Sequence, residues 1–457
     1  MKSTDHTEPA SAQASQFPLS LNHQFVCLFD QGDENGPFGP RYHMAAGWRV
    51  RGRVDDDALR RALYDLVVRH EALRTLISGD QGEKCQVVYP PAAPDLLIRE
   101  FPAGGEMSRD EQADWLVRHV EGETISPDRV PLLRVVLSRF DDSDAVLVLL
   151  VHHLGTDGWS MRVIVRDLAG LYAAQCGHDV SPLPAAPQYR AFSQWQRSGA
   201  ASAAASREYW HRRLDGARLT AIPTTFARSA GLPQSTGTHR FLIPADVVSS
   251  MTGIAHAVRS SPFMFMLAAY MMMVSRMTNT TDLVVPTFTP GRGGGLFADT
   301  VGSCFNLVPL RTDVAGCKTF IEVLERTRRS CLECYSNDIP SIDIFAEAPE
   351  LMLPGMNDRA ATVVFQIFPD PVMLGDDLPG GLTYTEVTRR LISQPVTSAI
   401  PDGVLWTLIL DPSGDVIGYT SYKRNLFDET TIADMVGEFQ RVLRTVAAAP
   451  ESSPGLT

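Results

Sequence analysis

The chain has 457 residues, enough for two or three domains with their own cores, and its 44% apolar and 21% charged residues are those of an ordinary globular protein. A formal net charge of -12 leaves no broad basic surface to displace counterions from phosphates, so nucleic acid is excluded in favour of a small molecule or a protein partner. The opening MKSTDHTEPASAQASQ has one lysine and no apolar stretch; residues 1–16 read as a disordered tail, not a secretory leader, and a cytoplasmic location is expected.

The segment DDDALRRALYDLVVRH places Ala58, Leu59, Ala62, Leu63, Leu66 and Val67 on one helical face, with Asp55 to Asp57 as an acidic first turn that suits the helix dipole. RTLI and QVVY follow as short strands. PLLRVVLSRF and AVLVLLVHH, split by the turn DDSD, predict an antiparallel hairpin whose second arm is apolar throughout and so covered on both faces. After Gly158 the period changes to helical, with Met161, Ile164, Val165, Leu168, Leu171 and Tyr172 at spacings of three and four, which makes VHHLGTDGWS (151–160) a strand-to-helix turn.

Three prolines in SPLPAAPQ (181–188) mark a boundary between two halves, 17–185 and 186–457, and the SGAASAAAS after it reads as a surface segment. In the second half the most apolar run, FMFMLAAYMMMV from Phe263 to Val274, is twelve residues long and follows Ser261-Pro262; it predicts a buried helix over 262–276, too short for a membrane span. Strands DLVVPTF and NLVPLRT, a helix over 318–335, the strand ATVVFQIF, the hairpin VLWTLILDPSGDVIGYTSY and a helix from Asp428 to Thr445 complete two α/β units of similar size. The seven cysteines read as reduced thiols, and Cys331 and Cys334, a CxxC on a helical pattern without a second pair, do not suggest zinc.

His152 and His153 at the end of a buried strand need partners, because burying an imidazole costs free energy unless something compensates. Successive strand side chains point to opposite faces, which argues against a metal site made of both rings and Asp157. One reading is purely structural: a satisfied histidine pair, Asp157 capping the next helix and Gly158 easing the turn. The other gives one histidine a cleft, where a neutral imidazole takes the proton of an amine or alcohol attacking an acyl carbonyl, while Asp157 fixes the loop by pairing with a distant arginine. No GxSxG elbow supplies a nucleophile.

HHLGTDG fits the HHxxxDG signature of the condensation domains of non-ribosomal peptide synthetases, in the chloramphenicol-acetyltransferase-like superfamily. RHEALRT (69–75), YRAFSQWQ (189–196), YWHRRLDG (209–216), VGSCFNLVPLR (301–311) and NDIPSIDIF (338–346) agree in order, so the chain resembles that family over roughly residues 17 to 446. The resemblance departs in SLNHQFVC (20–27), with Phe25 and Cys27 where arginine and tryptophan are usual, and at Ala191, where aspartate is common.

The resemblance implies an α/β fold of two acetyltransferase-like subdomains set as a V around a substrate tunnel, with floor and latch loops in the second. It implies that His153 is catalytic, as base or by positioning; that His152 and Asp157 are structural; that Gly158 leaves room for the acceptor; and that Arg292, in TPGRGGG, pairs with Asp157. Trp159 and Asn306 would line the tunnel, and the glycine-rich TPGRGGGLFADT would floor it instead of binding phosphate. The implied activity is that of a free-standing, monomeric enzyme of natural-product biosynthesis. It would join a carrier-protein-tethered acyl or aminoacyl thioester to a soluble alcohol or amine, with no metal and no bound cofactor, the phosphopantetheine arm coming with the acyl or peptidyl carrier protein. Some free-standing relatives in enediyne antibiotic pathways make esters. The alternatives are a coenzyme A-dependent O- or N-acyltransferase and a non-catalytic platform that recruits carriers. Arg326, Arg328 and Arg329 form a basic cluster that fits an acidic carrier or a solvated helix face equally.

Overall fold

A computed structural model describes residues 14–455 except 31, 33, 80–83, 103–105, 200–203, 369–372 and 375–380. Residues 1–13 of the expected tail lie outside the described residues, whereas Ser15 and Gln16, which the composition assigned to it, belong to the strand Ser15–Pro18, paired antiparallel with Cys85–Val88.

The first half is built on a six-stranded sheet in the order Met373–Leu374, Thr383–Glu386, His43–Arg51, Asp144–His152, Leu133–Asp141, Asp95–Glu100. Asp144–His152 is buried along its whole length because helices cover both sides. Leu147, Leu149 and Val151 meet the helices Asp56–Arg69 and Gly158–Gln175, whereas Val146, Val148 and Leu150 meet Arg109–Glu121. The helix Asp56–Arg69 buries the six residues its periodicity selects, and Asp55 caps it by accepting the Ala58 N–H at 2.7 Å.

A five-stranded sheet in the order Ala221–Pro223, Ala360–Phe368, Val404–Leu410, Val416–Lys423, Thr236–Ile243 carries the second half. The helix Pro262–Thr278, capped by Ser261, is its central core element, with Tyr270 against Phe365, Trp406 and Phe439. Among the described residues no single helix is long and apolar enough to cross a membrane. Asp282–Thr289 and Asn306–Asp313 form a separate two-stranded ribbon with Pro286 opposite Pro309, two residues that donate nothing to a ladder.

The division at 185/186 is not a clean cut. Thr383–Glu386 pairs with His43–Arg51 in the first-half sheet, and Tyr189, Phe192, Phe297, Val301 and Cys304 pack into the first-half core. The second half therefore meets the strand that carries the histidines at both ends: Thr383–Glu386 is level with residues 144–147, and the Cys304 N–H reaches Asp157 just beyond the histidines.

Candidate active site

The strand Asp144–His152 ends at His152, and His153 opens a single turn of 3-10 helix, His153–Gly155. His152 is fully buried; its Nδ1 accepts the Leu154 N–H at 3.3 Å, which leaves the proton on Nε2, 3.0 Å from the Gly39 carbonyl. Burial pushes its pKa down to about 3, so the ring is a neutral strut. His23, on the helix Leu21–Cys27, donates from Nε2 to the Leu154 carbonyl at 3.1 Å, and burial lowers its pKa to about 4. Two neutral imidazoles thus hold the N–H and the carbonyl of Leu154 in the turn.

His153 is placed differently. Its N–H donates to the Tyr42 carbonyl at 2.9 Å, its ring stacks on the Tyr42 ring at 4.7 Å and 12°, and the Phe305 ring meets it edge-on at 5.4 Å. Nδ1 is buried without a hydrogen bond, whereas Nε2 is neither buried in that way nor bonded to any described residue, and so faces accessible space. Burial lowers the pKa of this ring, opposed by the His153 backbone, the Asp157 charge and the Thr156 backbone, which leaves it neutral at physiological pH.

Asp157 caps the helix Gly158–Gln175 and has no room to touch a substrate. Oδ1 accepts from the Ser160 N–H at 2.7 Å and from Arg292 Nη2 at 2.8 Å, and Oδ2 from the Cys304 N–H at 2.9 Å. Arg292, equally buried, donates also to the carbonyls of Phe297 and Thr300 and to Ser160 Oγ. One ion pair therefore ties the start of the helix, the glycine-rich loop and the VGSC segment together.

Gly158 does not face open space. A Cβ there would come within 2.5 Å of the Phe368 ring, from the end of a strand in the second half, so the room expected for an acceptor is occupied by this chain's own side chain. Trp159 is exposed and donates from Nε1 to the Ala298 carbonyl at 2.8 Å. Asn306 is spent on the turn that follows the helix Phe320–Ser336: Nδ2 donates to Asp338 Oδ1 at 2.5 Å and to the Ile339 carbonyl at 2.6 Å, and Oδ1 accepts the Ser341 N–H and hydroxyl. Trp159 and Asn306 nevertheless line one cavity of about 480 Å³, with Trp195, the 290–295 loop and Asp338 around it. Of the basic cluster, Arg326 and Arg328 bond to backbone carbonyls of Asp313, Ala315 and Arg259, which leaves Arg329 as its exposed member.

The sequence did not single out Tyr42, Phe305 or His23. His23 lies in the departing SLNHQFVC motif, where only a count of buried imidazoles against available partners would have drawn attention to it; Tyr42 belongs to no local pattern.

The Condensation domain family profile matches residues 33–350. The SgcC5 protein from Streptomyces globisporus, a solved structure, is 42% identical, with a TM-score of 0.92 over 95% of this chain and 100% of that one. A linear gramicidin synthase of Brevibacillus parabrevis is 28% identical over 97% of this chain, which spans 8% of that synthase; for the phosphinothricin tripeptide synthetase PhsC of Streptomyces viridochromogenes the identity is 29%, over 95% of this chain and 39% of the relative. The first condensation domain of the calcium-dependent antibiotic synthetase, 20% identical with a TM-score of 0.74, shares the two-subdomain acetyltransferase-like fold. With its HHxxxDG turn placed where the two halves close, this chain belongs to the condensation-domain family of acyl-transferring enzymes.

Proposed function

We propose that the protein is a free-standing condensation enzyme that transfers an acyl or aminoacyl group from the phosphopantetheine arm of a carrier protein to a soluble alcohol or amine, with an alcohol, and hence an ester product, favoured. The observation that carries this reading is the neutral His153 ring with Nε2 toward accessible space. The alcohol is supported by SgcC5, whose crystal structure is a complex with an aryl 1,2-ethanediol and sucrose.

In this reading Nε2 accepts the proton as the acceptor oxygen or nitrogen attacks the thioester carbonyl. The O–H or N–H bond breaks as Nε2–H and the new C–O or C–N bond form. When the tetrahedral adduct collapses, the C–S bond breaks and the imidazolium returns the proton to the leaving thiolate. His152 and Asp157 never touch the reactants; they keep the turn in place. No metal or bound cofactor is needed, because the thioester already carries the activation.

The test is mass spectrometry of products from acyl-loaded carrier protein offered with mixed alcohols and amines, for wild type and His153→Ala. We expect product with wild type and a fall of roughly 10²–10⁴-fold in the variant, the usual contribution of general base catalysis. Equal turnover by His153→Ala would refute the base assignment. A coenzyme A thioester working as well as the carrier-bound donor would establish the carrier-independent acyltransferase instead, and carrier binding without turnover would leave a recruitment platform.

A further inference from the structure

A histidine that acts as base is commonly oriented by a carboxylate on its second nitrogen, which fixes the tautomer and stabilises the imidazolium formed in the reaction. His153 has no such carboxylate: Nδ1 is buried without a well-formed hydrogen bond, the backbone of His153 and Thr156 lies against the ring and favours its charged form, and the carboxylate nearest in sequence, Asp157, has both oxygens committed to Arg292, Ser160 and Cys304. The Tyr42 ring lies against the imidazole instead, nearly parallel at 4.7 Å, and the Tyr42 carbonyl holds the His153 N–H. A second ring, Phe305, closes the edge.

We propose that Tyr42 is the positioning residue of the reaction centre, its ring face setting the orientation of the His153 imidazole and stabilising the imidazolium in place of a carboxylate. The negative face of an aromatic ring attracts a cation within about 6 Å of its centroid, and the attraction is strongest where water is excluded. Tyr42 is itself buried, so the stack has no competing solvent on that side. The interaction favours the charged ring over the neutral one and so acts on the step in which His153 carries the proton. The other ionisable groups facing this ring are few. Asp157, though paired with Arg292, still favours the charged ring through its charge, and His152, His43 and His23 are held neutral by burial, with carbonyls of Gly39, Glu121 and Leu154 as their partners. None of them lies face to face with the imidazole as Tyr42 does.

The inference rests on the reading of His153 as the base, but its test does not need turnover. In an NMR titration of the His153 ring, assigned with His153→Gln, Tyr42→Phe should titrate as wild type does, because the ring is kept. Tyr42→Leu should lower the His153 pKa by about 1 pH unit, the size expected of a partly desolvated cation–π contact at 1.36 kcal/mol per unit. Because Tyr42→Leu also removes packing, pentafluorophenylalanine at position 42 provides the decisive comparison with Phe. Its shape is kept while the sign of its face is reversed, and it should lower the pKa at least as far. In kinetics the acid limb of kcat/KM should move down in pH with the same variants, kcat falling and KM nearly constant. An unchanged His153 titration with pentafluorophenylalanine would overturn the assignment of Tyr42. A shifted titration combined with full turnover by His153→Ala would leave the stack standing and sink the base instead, so the two failures are told apart.

Discussion

Residues in the turn divide into one that is open to chemistry and several that are closed by their partners. His153 keeps an accessible nitrogen, while His152, Asp157 and Arg292 are saturated, or nearly so, by bonds within the protein. Asp157 is the residue on which this division depends. Asp157→Asn keeps the size of the side chain but leaves the buried guanidinium of Arg292 without its counter-charge. Breaking one side of a buried pair costs about 3–5 kcal/mol, so urea unfolding should show a loss of that order. Arg292→Met added to Asp157→Asn should recover part of it, since the unpaired charge is then gone; a single-variant loss below about 1 kcal/mol would contradict the pairing as the support of the turn. Two of the three residues that depart from the family pattern are accommodated by packing or exposure. Phe25 packs its ring 5.2 Å from Phe345 in the second-half core, and Ala191 sits exposed on the helix Tyr189–Arg197.

At the scale of elements, the connection between the two halves is held by a charge cluster that no local pattern announced. Glu121 ends the helix Arg109–Glu121, where a negative charge opposes the helix dipole. Burial alone would raise its carboxyl, but Arg240, Arg390 and the Thr397 hydroxyl more than offset this and hold it at about 2. Arg240 comes from the edge strand Thr236–Ile243, and Arg390 and Thr397 from the segment that leaves Thr383–Glu386 and returns to the second half. Glu121 therefore pins that segment to both subdomains, and its backbone carbonyl receives His43 Nε2, the cross-strand neighbour of His152. Glu121→Gln would leave two buried guanidiniums facing a neutral amide, for a loss of about 3 kcal/mol or more. Hydrogen exchange should report where: the Thr397 and Ala399 amides, bonded to Thr236 and Arg41, should lose protection while the strand Asp144–His152 keeps its own. Equal exchange in variant and wild type at Thr397 would remove the cluster from its role as a clasp.

Over the whole molecule the buried histidines set the acid limit of stability. His152 and His23 have folded pKa values of about 3 and 4 against about 6.5 in an unfolded chain. A base whose pKa is lowered on folding takes up its proton first in the unfolded state. The stability it contributes is complete above pH 6.5, declines as the pH falls, and levels only below the folded value. At pH 5 each of the two should have cost about 2 kcal/mol relative to pH 8. His43 and His70, also lowered by burial, act in the same direction. Denaturant midpoints should therefore drop between pH 7 and 5, above the range in which carboxylates titrate, and replacing His23 by Gln should flatten that decline. A midpoint constant over this interval would show that these rings are not buried neutral.

Local order decided much of this protein. The periodicity of Asp55 to His70, the apolar arm that ends in HHLGTDG, the Asp157 cap and the helix from Ser261 all follow from spacing and side-chain chemistry within a few residues, and they stand in the structure as the sequence reads. Motif order carried the family and, by resemblance, the partnership of Asp157 with Arg292. What lay outside the sequence required contacts between distant segments. The strand His43–Arg51 is central only because Asp144–His152 and Thr383–Glu386 flank it, since HMAAGWRVR has too little alternation to declare itself. Phe368 fills the space beside Gly158 from the other subdomain, and Tyr42 reaches His153 because strand pairing sets His43 opposite His152. Spacing fixes which residues share a helix face or strand end; which ring then lies against the reactive one depends on how two sheets and their crossing segments close on each other, and only the folded chain decides that.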